Sequence, residues 1–397
     1  MLQLDNFYKA RFVLSKVIRK TELVHTPRIN PESDVYLKPE CLQKTGSFKI
    51  RGAYYKISQL TDEEKTKGVI ACSAGNHAQG VALGATAMGV KSLICLPEGA
   101  PISKVEATKR LGAEVCLVPG VYDDAYQKAL ELKDEHGYTF VHPFDDENVI
   151  AGQGTIGLEI LDQLPDVEAV VVPVGGGGLI SGVAFAIKSL NPNVKVYGVQ
   201  AEGAASMVQS LHDHKQEKLP SVATVADGIA VKEPGKITFE TCSNYVDEIV
   251  TVSEDEICAA ILKLIESEKM VAEGAGAAGG MCGGLYSVYG GNIESGFEIV
   301  ARLCDLDNKI KNADVVITGE GKTDSQTLMG KAPFRIAEAC KKYGKKCVVV
   351  SGCFDGVTLG DEMLSLIDDG VTADEAVNNS REVLYKKVQK SLAIILK

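Results

Sequence analysis

The chain contains no tryptophan in 397 residues and only six histidines. Basic residues are also the minority: 42 Lys and Arg face 53 Asp and Glu, a net charge of −11. That balance argues against a nucleic-acid partner and against an anionic membrane surface. The eleven cysteines include no CxxC pair. An odd, scattered set reads as reduced, mostly buried thiols, not as a disulfide frame or a zinc site, so no metal is expected. The first twenty residues interleave charges with apolar positions. They lack the continuous apolar stretch of a secretory leader, and a cytoplasmic location is expected. One uncharged run, Ala169 to Ile187, has the length of a membrane span. Four successive glycines and a proline divide it into a short strand, a loop and a helix start.

What is present is a regular alternation. Short β-branched runs at 68–74, 91–97, 113–119, 138–143, 169–174 and 195–200 read as strands. Between several of them lie helical stretches such as "NHAQGVALGATAMG" and "VYDDAYQKALELKDEHG". This is the pattern of an α/β protein with open, twisted, mostly parallel sheets, which bind ligands where loops leave the carboxyl ends of strands. A chain of this length holds two or three domains. Composition changes near residue 275, at "GAGAAGGMCGG", and the βα pattern then restarts with "ADVVITGEG" and "KKCVVVSG".

Three motifs carry chemistry. In "VPVGGGGLISG", a strand runs into Gly175, Gly176, Gly177 and Gly178 and then into a helix. Glycines let backbone N–H groups turn toward an anion, and a helix N-terminus adds a favourable dipole. No GK[ST] ends the run and no GxGxxG is formed, so a phosphate cradle is expected rather than a Walker or dinucleotide loop. In "SAGNHAQG", Asn76 opens a helix, where an amide caps the turn or hydrogen-bonds a ligand oxygen. His77 reads as structural. In "TGSFKIRGA", Lys49 follows Phe48 and precedes Arg51. Taken alone it is a surface lysine. With a phosphate cradle and a ring-contacting amide it suggests pyridoxal phosphate, because a lysine amine attacks an aldehyde only when neutral, through desolvation or nearby positive charge.

Residues 1 to about 275 resemble the threonine dehydratases of the fold-type-II pyridoxal-phosphate family. "YLKPECLQKTGSFKIRGA", "SAGNHAQGVA", "VPVGGGGLISG", "AEGAASM" and "TVADGIAVKEPG" carry the resemblance, in order. It implies a catalytic region over 1–275, with a small subdomain roughly over 45–140. It implies that Lys49 is catalytic and bears pyridoxal 5'-phosphate, with Phe48 beside the ring. Asn76 would bind the ring's 3-oxygen, and Gly175, Gly176, Gly177, Gly178 and Leu179 the phosphate. Ser47, Ser73 and Glu273 would face the substrate; Gly274 stands where that family usually has proline. The implied reaction is deamination of L-threonine to 2-oxobutanoate and ammonia, and of L-serine to pyruvate, by Schiff base and β-elimination. Serine racemases of the family place a serine base where this chain has Ala74, so elimination without racemisation is implied. The implied partner is a small amino acid, with a homo-oligomer left open.

Residues 276–397 depart from that pattern and resemble the C-terminal lobe of type-1 glycerate kinases. "EGAGAAGG", "ADVVITGEGKTDSQTLMGKAP" and "DDGVTADEAVNNSREVLYKKVQKSLAII" carry this second resemblance. The dehydratase motif that sets a serine against the pyridine nitrogen is not at its expected distance. Ser351, in "GKKCVVVSGCFDG", is either its replacement or an ordinary strand-end residue. Two other readings therefore stand beside the lyase: a glycerate kinase-related protein, and a fusion whose impaired site serves only for binding.

Overall fold

Val69–Cys72 is buried at all four positions, as a strand covered on both faces must be. It lies inside a four-stranded parallel sheet ordered Glu114–Val118, Ser92–Pro97, Val69–Cys72, Thr139–Phe140. The register sets Cys72 beside Cys95 and Cys95 beside Cys116, a row of thiols across three strands. A second parallel sheet joins Ala169–Pro173, Lys195–Ala201 and Glu248–Val252. Val24–His25 and Tyr36–Leu37 add a short antiparallel pair. The structure, a computed structural model, describes residues 2–30, 33–279, 301–302, 304–324, 327–329, 331–367 and 370–395. Residues 280–284 of the glycine-alanine stretch lie outside these, as do Ser325, Gln326, Gly330, Asp368 and Asp369 of the kinase-like motifs.

The chain divides into two compact units, Met1–Ile293 and Glu294–Lys397. The second contains a three-stranded parallel sheet of Val315–Thr323, Lys346–Phe354 and Glu362–Ser365. The α/β class with parallel sheets is thus observed, and each predicted strand is present. Glu248–Val252 and Glu362–Ser365 were not predicted. The latter, "EMLS", has no β-branched residue, and its strand state comes from pairing with Lys346–Phe354.

In the first unit, the helices Lys49–Ser58, Glu147–Gln163 and Gly178–Leu190 form the layer that positions the site. Every residue from Val149 to Ile160 is buried. The backbones nearly touch: a Cβ on Gly152 would stand 2.6 Å from the Arg51 carbonyl oxygen. Only glycine permits that approach. Asp146 caps the Glu147–Gln163 helix, accepting from the Asn148 and Val149 amides at 2.9 and 3.0 Å. It also pairs with Lys56 at 2.6 Å. The segment just before the helix is thereby pinned to the Lys49 helix. Among the described residues, no helix is long and apolar enough to cross a membrane.

Candidate active site

Lys49 is the first residue of its helix, and Nζ donates to the Pro143 carbonyl at 2.9 Å. The amine lies 5.4 Å from the centre of the Phe48 ring. Burial lowers its pKa to about 8, against a partial pull upward from Glu273. Desolvation, not a neighbouring cation, makes this lysine easy to deprotonate. Arg51 takes no part, because two helical residues turn the chain through about 200°. Its guanidinium is fully buried on the other side, bonded to Glu40, Glu159 and Thr155 at 2.7–3.1 Å.

Two imidazoles near Lys49 are held neutral. Burial pushes His77 down to about 3, helped by the Lys49 charge. Its Nε2 meets the Val141 carbonyl at 2.8 Å, so that nitrogen donates. Burial pushes His142 down to about 4. His142 Nδ1 accepts from the backbone amides of Phe144 and Asp145 at 3.3 and 2.7 Å. His77 also lines the cavity, with Nδ1 buried and unpartnered among the described residues.

Asn76 begins the helix Asn76–Ala87 directly after the central strand, and its Nδ2 donates to Glu273 Oε1 at 2.7 Å. Burial, then the nearby Asp227, raises the Glu273 pKa; the Asn76 bond, Lys104 and Lys49 oppose this. Ser73 Oγ accepts from the Gly75 amide at 3.2 Å. Ser47 is buried, and its hydroxyl has no partner among the described residues.

The glycine run follows the strand Ala169–Pro173, and Gly178 begins the helix Gly178–Leu190. Gly177 has φ +95°, which strongly favours glycine. The backbone amides of Gly175, Gly176, Gly177, Gly178 and Leu179 find no acceptor among the described residues. A row of unpaired donors at a helix N-terminus is an anion site.

All the candidate residues, from Ser47 to Glu273, line one cavity of about 1700 Å³ in the first unit. Ion pairs within its lining include Lys104 with Asp227 at 2.8 Å and Lys232 with Asp123 at 3.2 Å. Sequence reasoning missed Pro143, Phe144 and Asp145. "YTFVHPFDD" carries a turn signal in its proline, but nothing local says what the turn touches. Ser351 lies in the second unit, wholly buried, and its hydroxyl donates to the Cys353 carbonyl at 2.8 Å.

A deprotonatable lysine, an unpartnered hydroxyl and a cradle of free amides, all lining one cavity, define an enzyme site for a phosphorylated aldehyde. These residues fit pyridoxal phosphate: the cradle matches its phosphate and Lys49 its aldehyde. The family model for pyridoxal-phosphate dependent enzymes matches residues 14–305, and the chain belongs to that family. The glycerate kinase family model matches residues 239–396, so the two overlap from 239 to 305. The L-threonine ammonia-lyase of Thermotoga maritima is 51% identical over 321 residues, 80% of this chain and 75% of that one. The catabolic L-threonine dehydratase TdcB of Escherichia coli (strain K12) is 48% identical over 279 residues, 69% of this chain and 84% of that one. Among solved structures, the processed form of threonine deaminase isoform 2 from Solanum lycopersicum superposes with a TM-score of 0.68 at 37% identity, covering 77% of this chain and 89% of that one. Maize serine racemase gives 0.70 at 31% identity, with 78% and 99% covered.

Proposed function

We propose that the protein deaminates L-threonine to 2-oxobutanoate and ammonia, and L-serine to pyruvate. The observation that carries this reading is the Lys49 amine, desolvated to a pKa of about 8, in the same cavity as the unpaired glycine amides. Pyridoxal phosphate, when bound, supplies an aldehyde that condenses with amines and a ring that delocalises the electron pair left at Cα. Lys49 would hold that aldehyde. Its free Nζ would take the α-proton of the substrate, and a pKa near neutrality suits both duties. The Pro143 carbonyl accepts from this amine and steadies it. The Gly175 to Leu179 amides would bind the phosphate, Asn76 the ring's 3-oxygen, and Phe48 would lie beside the ring. Ser47 and Ser73 receive the substrate carboxylate, and Glu273 closes the substrate side.

The threonine and serine names of the relatives support the substrate class. The net charge of −11 argues against a nucleic-acid partner and an anionic membrane surface, and the scattered cysteines support a cytoplasmic setting. The dehydratase motif that sets a serine against the pyridine nitrogen is not at its expected distance, and low turnover is expected on that account.

The test is Lys49→Ala, read by 2-oxo acid formation from threonine. Activity should vanish while the circular dichroism spectrum stays native; wild-type turnover by the variant overturns the assignment. Lys44→Ala is the control, since Lys44 is exposed. The kinase-family match favours one second reading, transfer of phosphate from ATP to glycerate. A coupled ADP assay on the same preparation separates the two, and no ADP release is expected.

A further inference from the structure

The unpaired amides of the glycine run are useful only if their peptide planes are turned toward the cavity, and a run of glycines does not by itself hold any plane. One plane is held from behind. The Gly176 carbonyl oxygen accepts from Thr238 Oγ1 at 2.6 Å and from the Gly235 amide at 3.4 Å. In a trans peptide the carbonyl oxygen and the following N–H point in opposite directions. Fixing the Gly176 oxygen toward Thr238 therefore directs the Gly177 N–H to the other side. That N–H has no acceptor among the described residues, and Gly177 lines the cavity.

Thr238 is itself held. It is the third residue of the helix Lys236–Tyr245 and is wholly buried. The residue before that helix is Gly235, which offers no side chain for a cap. Asp145 takes that role from a distant part of the chain. Its carboxylate accepts from the Lys236, Ile237 and Thr238 amides at 3.1, 2.9 and 3.2 Å. A carboxylate on three amides of a first turn is a strong, charge-assisted cap. The residue before Asp145, Phe144, packs against the same glycines from another side: a Cβ on Gly178 would stand 2.8 Å from the Phe144 Cα. The residue before that, Pro143, receives the Lys49 amine.

We infer that Thr238 is a positioning residue for the phosphate handle of the cofactor, acting through the Gly176–Gly177 peptide, with Asp145 holding Thr238 in place. This rests on the pyridoxal-phosphate reading and adds to it the residue that orients the cradle. The threonine hydroxyl donates to the Gly176 carbonyl, with the Gly235 carbonyl at 3.1 Å, and Thr238 is not part of the cavity lining. Its removal should free one peptide plane to rotate and weaken the grip on phosphate alone.

The experiment compares pyridoxal phosphate with pyridoxal, which lacks the phosphate, in absorbance titrations of cofactor-free protein. Thr238→Val keeps the shape and removes the hydroxyl; Thr238→Ser keeps the hydroxyl. Thr238→Val should bind pyridoxal phosphate about ten-fold more weakly, the worth of one hydrogen bond to an anion, and pyridoxal as the wild type does. Thr238→Ser should restore most of the phosphate preference. Asp145→Asn, which weakens the cap without emptying the site, should shift the preference in the same direction and serves if Thr238→Val does not fold. Unchanged pyridoxal phosphate affinity in Thr238→Val overturns the inference. Equal loss of both ligands also overturns it, because that is the mark of a merely structural residue. If the wild type shows no preference for the phosphorylated ligand, the cradle reading fails, separately from the role of Thr238.

Discussion

The Asn76 amide and the Glu273 carboxylate meet at 2.7 Å, joining residues 197 positions apart in the lining of one cavity. The bond holds a carboxylate that its surroundings otherwise push toward protonation. Burial and Asp227 raise its pKa, and the amide is the first of the groups that lower it.

Glu273 is therefore expected to cost stability at neutral pH. A carboxyl protonated more readily in the folded than in the unfolded chain adds stability that is complete below its ordinary value of 4.5. That contribution is lost as pH rises through the folded value. Cofactor-free Glu273→Gln should melt at a higher temperature than wild type at pH 7, with the gap closing as the pH falls from the raised folded value to about 4.5. Thermal scans from pH 4 to 8 decide it; a gap independent of pH contradicts the raised pKa.

Lys49 makes a second pH dependence. With its pKa lowered to about 8, about one tenth of the amines are neutral at pH 7. The rate at which cofactor-free protein captures pyridoxal phosphate should rise with pH and level off above about 8. Stopped-flow absorbance measures it. A rate still climbing at pH 10 would mean an ordinary, solvated lysine.

A third expectation couples Gly176 to Phe144. A Cβ at Gly176 would stand 2.4–2.5 Å from three carbons of the Phe144 ring, well inside van der Waals contact. Gly176→Ala should destabilise the protein by about 1–3 kcal/mol through overpacking. Phe144→Ala should recover part of that loss in the double variant, a coupling that a double-mutant cycle in urea reads directly. Strict additivity would show that the ring is not what the methyl meets.

The reaction outcome turns on Ala74. Ser73 and Gly75 flank it in the loop between Val69–Cys72 and the Asn76 helix, and it lines the cavity with no ionisable group. On the proposed reading, L-serine should yield pyruvate without D-serine. Chiral chromatography of the incubation settles it, and D-serine accumulating with pyruvate would require a second base.

Much of the site was legible because its residues announce themselves locally. Gly175 to Gly178 interrupt an apolar run where a single turn needs fewer glycines, and Asn76 follows a strand end. The parts that orient them were not. Asp145 caps a helix whose first residue, Lys236, lies 91 positions later, and no local pattern joins the two. Arg51 shows the opposite hazard. Its closeness to Lys49 in sequence suggested an electrostatic role, but helical rotation sends it into the Glu40 and Glu159 carboxylates. The strand Glu362–Ser365 was hidden for another reason: its state comes from a neighbour strand and not from its own composition.

The row of thiols across the first sheet has a use as a clock. Burial pushes Cys72 and Cys95 each up to about 12, so almost none of either is thiolate at neutral pH. Cys72 nevertheless lines the cavity. Alkylation there must wait until the strand ends part from their covering helix, and its rate then counts those openings. A maleimide in enough excess to trap each opening, quantified by mass spectrometry at Cys72 with and without pyridoxal phosphate, would time the breathing of the sheet without any substitution in the chain.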